Sequence, residues 1–166
     1  MSTFSLIIDI IQAGGAIATA VSVIILLSKF NTKLKVSGEM PIKNSRNYLI
    51  SIYNNTAYDN EITSISFWKG NPVKLSSTPS LFYSPELSSL GLQTNKNTHN
   101  ILLPKQSYIE IPISCSDIAL NYECIGEAVG KLYDTIFVLI KDRRGNKYCI
   151  NTRANIDMFR LGYKQR

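Results

Sequence analysis

Two hydrophobic periods divide this chain. Over residues 5–28 nearly every position is apolar or small, Asp9 is the only charge, and the run stops at Lys29. A helix that crosses a bilayer needs roughly 20 mostly apolar residues to span a hydrocarbon core of about 30 Å. Residues 10–27 are uncharged, with Leu6, Ile7 and Ile8 extending them. A cleaved secretory leader begins with Lys or Arg and carries a shorter apolar stretch before a small-residue cleavage site. Here no basic residue precedes Lys29, and cleavage among the alanines of 16–20 leaves the most apolar part, 21–27, in place. The pattern predicts a transmembrane helix within residues 1–30.

Turned through about 100° per residue, this helix places Asp9, Gln12, Ala16 and Thr19 in one arc, Gly15 and Ser22 beside it, and Ile10, Ile17, Val21 and Ile24 opposite. Small residues let helix backbones approach, and Gln, Thr and Ser can hydrogen-bond between helices where no water competes. Gln12, Gly15, Thr19 and Ser22 are therefore candidate helix-association residues. Ordinary membrane-helix composition, with Asp9 and Gln12 at headgroup level, accounts for the same face.

After Lys29 the period becomes two, which predicts a β-sandwich domain over residues 31–154. KLKVSG (33–38) alternates, as does YLISIYN (48–54), where Tyr48, Ile50 and Ile52 point one way. EITSISFW (61–68) puts Ile62 and Ile65 out of strict alternation, but its β-branched and aromatic content favours a strand. Turn formers fill the gap between these two strands, at 54–60. In SYIEIPIS (107–114) Ile109, Ile111 and Ile113 share a face, and Pro112, which cannot donate a ladder hydrogen bond, places the strand at an edge. Strands at 133–141 and 147–153 flank DRRGN (142–146), a polar connection with Gly of the kind that closes a β-hairpin.

Between these strands lie two other kinds of segment. A long loop covers 69–100, broken by Pro72, Pro79 and Pro85, with a short strand available at 73–76. Long loops in compact domains are often functional, and Phe82, Tyr83 and Leu87 are the candidate partner-binding residues on it. Ile118, Tyr122, Ile125 and Val129 recur at helical steps, predicting a short helix over 117–130 capped by Ser116 or Asp117. Residues 155–166 form a basic tail in which Ile156, Phe159 and Tyr163 again fall at helical steps, for packing on the sandwich or lying against lipid. The expected fold is mainly β: an immunoglobulin-like antiparallel sandwich with one short helix, preceded by the transmembrane helix.

Charge adds a direction. The net charge is +6, and Lys29, Lys33, Lys35, Lys43 and Arg46 all follow the span, so the positive side, and with it the domain, faces the cytoplasm and the amino terminus lies outside. Three cysteines, an odd number without close spacing, suit a reducing compartment rather than a disulfide framework. The triplet Asn54-Asn55-Thr56 matches a glycosylation acceptor that a cytoplasmic domain does not use. Basic residues gather again at Lys141, Arg143, Arg144 and Lys147. A solvated hairpin tip, contact with anionic headgroups or an acidic protein, and nucleic acid are ranked in that order, since no dense basic block exists.

Candidate chemistry is sparse. His99 is the only histidine, and Cys115, Cys124 and Cys149 form no paired C-x-x-C knuckle for zinc. A nucleophile, base and orienting group cannot be assembled from spacing, and Gly126, Gly130 and Gly145 lack the phosphate-loop pattern. The expectation is of no catalytic, cofactor-binding or metal-binding residues.

The N-terminal span, YLISIYN running into NNT and ITSISF, then LLPKQSYIEIPI, a short helix and IKDRRGNKYCI together resemble small bacterial single-pass membrane proteins with an immunoglobulin-like domain. The likeness covers nearly the whole chain. It implies an anchor in the inner (plasma) membrane and a sandwich, and it brings no catalytic residues. The expected role is a cytoplasm-facing interaction module that localises or assembles a protein partner at the lipid bilayer. The competing role is an oligomeric membrane-disrupting or channel-forming effector built from homo-oligomers of the span.

Overall fold

The computed structural model describes residues 17–22, 33–39, 46–74, 78–124, 135–154 and 156–164. Contacts divide the chain into two compact units, Met1–Lys33 and Leu34–Arg166. In the first, residues 17–22 are helical, Ile17 and Val21 are exposed, and the Ser22 hydroxyl donates to the Ala18 carbonyl at 2.8 Å. Among the described residues no helix is long and apolar enough to cross a membrane. Most of the sequence-predicted span, Gln12 and Gly15 included, lies outside the described residues.

The second unit is mainly β. Its elements run β1 (Lys35–Glu39), β2 (Asn47–Tyr53), β3 (Asn60–Lys69), β4 (Ser80–Tyr83), a 3-10 turn at Leu87–Leu90, β5 (Ile101–Leu103), β6 (Tyr108–Ser114), helix α1 (Cys115–Cys124), β7 (Ile136–Asp142), β8 (Lys147–Asn151) and helix α2 (Ile156–Lys164). A three-stranded sheet has the order β1-β2-β6. A five-stranded sheet has the order β4-β3-β7-β8, with β5 also pairing β3. Every pairing is antiparallel.

The alternating side chains explain why the two sheets share a core, in an arrangement consistent with a β-sandwich. Tyr48, Ile50 and Ile52 of β2, Ile111 and Ile113 of β6, and Ile136, Val138 and Ile140 of β7 are all buried in one cluster. The Tyr48 ring meets Phe67 of β3 edge-on at 6.1 Å and Phe159 of α2 at 5.8 Å. Removing each such side chain from water is worth roughly 1.5–3 kcal/mol. The core therefore includes the C-terminal helix as well as both sheets.

Three local features differ from simple alternation. Ile62 pairs with Asp142 and Ser64 with Lys141, so Thr63 is an extra residue, a β-bulge. The bulge turns both Ile62 and Ile65 inward while Thr63 stays exposed. Residues 72–73 form a turn where the short strand expected at 73–76 would begin, because the Asn71 side chain accepts from Val73 N at 2.9 Å and bends the backbone, and residues 75–76 lie outside the described residues. Helix α1 starts at Cys115, two residues before its expected position, because β6 runs straight into it and Ser114 Oγ accepts from Asp117 N at 3.4 Å as the cap. Residues 125–130, where the helix was expected to continue, are outside the described residues.

Candidate interaction surface

At one end of the sheets meet the last residues of β2, β5 and β7 and the first of β1, β3, β6 and β8. Turn chemistry at this end is tied inward by three buried polar side chains. Asn54, just past β2, has its Nδ2 2.9 Å from Tyr58 O, 3.0 Å from Leu103 O and 2.9 Å from Pro104 O. Its Oδ1 accepts from Thr56 N at 3.1 Å and lies 2.7 Å from Thr56 Oγ1. One amide thus holds the 54–59 loop against the 104–107 loop. Asn54 is fully buried, so the glycosylation triplet is a structural turn.

Glu61 of β3 does the same for the 94–100 turn and the β7–β8 connection. Its Oε1 accepts from Asn95 Nδ2 at 3.0 Å and Arg143 Nη1 at 3.2 Å, and its Oε2 from Asn100 Nδ2 at 2.9 Å. These amide donors, Asn100 foremost, hold the Glu61 carboxyl below the ordinary range despite burial, with Arg143 and Thr98 adding to the effect.

Asp142, the last residue of β7, is the third hub. Oδ1 accepts from Arg144 N at 3.0 Å and Asn146 N at 2.9 Å. Oδ2 accepts from Asn60 Nδ2 at 3.2 Å, Asn146 Nδ2 at 2.9 Å and the Tyr148 hydroxyl at 2.9 Å. Burial by itself raises an acid, but the donors from Asn146, Tyr148 and Asn60 outweigh it, and the Asp142 pKa is lowered. Tyr148 passes the connection on, because its oxygen accepts from Leu34 N at 3.3 Å. Gly145, at φ +81°, supplies the left-handed residue of the turn. Carboxylates so surrounded by donors stay ionised and act as buttresses.

The outward residues of the three-stranded sheet form a different kind of surface. Tyr53 of β2 stands opposite Tyr108 of β6, with Lys35 of β1 on its other side. Both tyrosines are exposed, at 36% and 57%. Tyr108 donates to Glu110 Oε1 at 2.6 Å and lies 3.1 Å from Ser51 Oγ, and the bond to Glu110 raises its pKa. Ser51 pairs with Glu110 next along this face, and Leu49 with Pro112 after it. As expected for a strand containing Pro112, β6 is an edge, with β2 its only neighbour in the sheet among the described residues.

The residues anticipated as partner anchors have other positions. Phe82 and Leu87 are buried in the core, and Phe82 stacks edge-on against Tyr122 at 5.1 Å. Tyr83 is half-buried against Phe67 at 5.6 Å. The outward side chain of β4 is Leu81, 49% exposed. Thr19 and Ser22 lie on the 17–22 helix. His99, at φ 56°, closes a turn in which its N donates to Asn95 O at 2.8 Å. Cys115 is buried, and that burial pushes its thiol up to about 11, while Cys124 and Cys149 are exposed. Among the described residues no group of three or more His, Cys, Asp or Glu is placed to hold a metal ion. Sequence reading passed over Glu61, whose only local signal is a carboxylate at the start of an apolar strand, and over the outward pairing of Tyr53 with Tyr108, which exists only once β2 and β6 are in register. No protein-family model matches the chain, and no curated protein matches it.

Proposed function

We propose that the chain is a membrane-anchored, cytoplasm-facing interaction module of the small bacterial immunoglobulin-like type, localising or assembling a protein partner. The strand order β1-β2-β6 facing β4-β3-β7-β8 supports the immunoglobulin-like reading, and the uncharged run 10–27 supports the anchor. The observation that carries partner binding is the exposed Tyr53–Tyr108 pair on the three-stranded sheet. Tyrosine offers large contact area at low entropy cost and is enriched where interfaces concentrate their energy. Glu110, Lys35 and Ser51 around the pair supply a polar rim.

The test is photo-crosslinking of the full-length chain in its own membrane, with the photoreactive residue placed at Tyr53, at Tyr108 or, as a control, at Lys74. A discrete adduct from the first two sites and none from Lys74 is the expected result. Equal labelling from all three positions, or an adduct that survives Tyr53→Ala combined with Tyr108→Ala, argues against this face as the binding surface.

A further inference from the structure

Cations outnumber anions at the end where the second unit begins. Lys35 opens β1, Lys105 lies in the loop before β6, Lys141 and Lys147 flank the β7–β8 turn, and Arg143 and Arg144 form it. All six are exposed. Lys141 and Lys147 stand directly opposite one another in the ladder, an arrangement of like charges that costs stability. Among the described residues no ion pair is made by Lys35, Lys105, Lys141, Arg144 or Lys147. Of the nearby acids, Glu61 pairs with Arg143 at 3.2 Å, Asp142 is buried within its own donor shell, and Asp59 accepts from Lys105 N at 2.9 Å. Arg144 is held outward over the Tyr58 ring at 4.9 Å.

We infer that this basic end docks on a bilayer surface of anionic phospholipid headgroups. Charge complementarity is one argument, and the path of the chain is the other. Leu34 N is bonded to Tyr148, and Tyr148 to Asp142, so the start of the unit is fastened to the basic turn. Residues 29–33 alone separate Leu34 from the apolar run, a tether of at most about 20 Å when fully extended. The inference rests on the reading of 5–28 as a membrane span, which fixes the basic end within reach of lipid. Each Lys or Arg brought to an anionic surface then strengthens docking about fivefold, and salt screens the attraction.

Full-length protein reconstituted in vesicles of phosphatidylcholine, alone or mixed with phosphatidylglycerol, provides the test, with amide hydrogen exchange read at 104–107 and 142–147. Exchange at both segments is expected to be several-fold slower on the anionic vesicles, with the difference abolished by high salt and by combining Lys141→Gln, Arg144→Gln and Lys147→Gln. Unchanged Trp68 emission in that variant shows that the fold is intact. Equal exchange on the two vesicle types, with the protein retained through an alkaline wash, overturns the docking inference. Loss of the protein from neutral vesicles in that wash overturns the anchor instead. Protection on neutral vesicles by inorganic phosphate or by a short double-stranded DNA, dependent on the same three cations, also overturns the assignment to lipid.

Discussion

Tyr48 carries the sharpest local conflict in the domain. Its ring is fully buried, and among the described residues its hydroxyl is the buried side-chain polar atom without a hydrogen-bond partner. That burial raises its pKa far above the ordinary tyrosine value. The hydroxyl lies over Gly38, where any added Cβ would collide first with Tyr48 Oη and then with Cζ. Tyr48→Phe therefore removes an unsatisfied group and is expected to leave stability unchanged or raise it by about 1 kcal/mol in denaturant unfolding. Gly38→Ala is expected to cost about 1–3 kcal/mol through overpacking, and less in the Tyr48→Phe background, so a double-mutant cycle should show coupling between the two sites. The carboxylates Glu61 and Asp142 give a pH dependence of definite sign. Both have folded pKa values lowered below their unfolded ones. Their contribution is complete above the unfolded carboxylate range, near pH 4, and is lost as pH falls through the folded values. Acid titration of unfolding should show this limb, and Asp142→Asn should flatten it. Asp142→Ala, which strands the donors of Asn60, Arg144, Asn146 and Tyr148, is expected to cost about 3 kcal/mol.

Strands that alternate strictly are legible in the sequence alone, because period two in a half-buried sheet follows directly from burial of one face. β2, β6 and β8 are of this kind, while β7 reads as a continuous apolar run, IFVLI, ahead of a turn marked by Gly145. β3 was harder, since the Thr63 bulge breaks its period while keeping Ile62 and Ile65 inside. Deleting Thr63 should restore regular pairing without reversing either isoleucine, and the protein is expected to fold with a loss of about 1–2 kcal/mol. Deleting Ser66 instead drives Phe67 from the core to the opposite face, as any one-residue register slip does, and no cooperative unfolding transition is expected. β4 was not legible: it is a short strand within a Pro- and Ser-rich stretch, and Phe82 becomes a core residue only through contacts with Phe67 and Tyr122, which are remote in sequence. The same reason hid the buttressing end. Asn54, Glu61 and Asp142 look like ordinary turn or strand residues until distant backbone donors and acceptors converge on them.

The unit Leu34–Arg166 is closed by its last helix as well as by its sheets. Ile156 and Phe159 of α2 are buried, and Arg160 pairs with Glu123 of α1 at 3.1 Å and with Asp157 at 3.2 Å. Those half-exposed pairs are worth roughly 0–1 kcal/mol, so the packing of Phe159 on Tyr48 dominates. Phe159→Ala is expected to cost about 3–5 kcal/mol, against less than about 1 kcal/mol for Arg160→Ala, as measured by thermal unfolding of the full chain. The start of the same unit has a mechanical consequence. Tension carried by the preceding chain is delivered at Leu34, at the head of β1, and runs along that strand's axis when its source lies beyond this end. Five registered pairs join β1 to β2 over Lys35–Glu39, and in that direction they bear the load together in shear instead of opening one after another like a zipper. Such a pull on Leu34 would thus be resisted by the whole ladder at once, with the Leu34–Tyr148 bond as the first link to part.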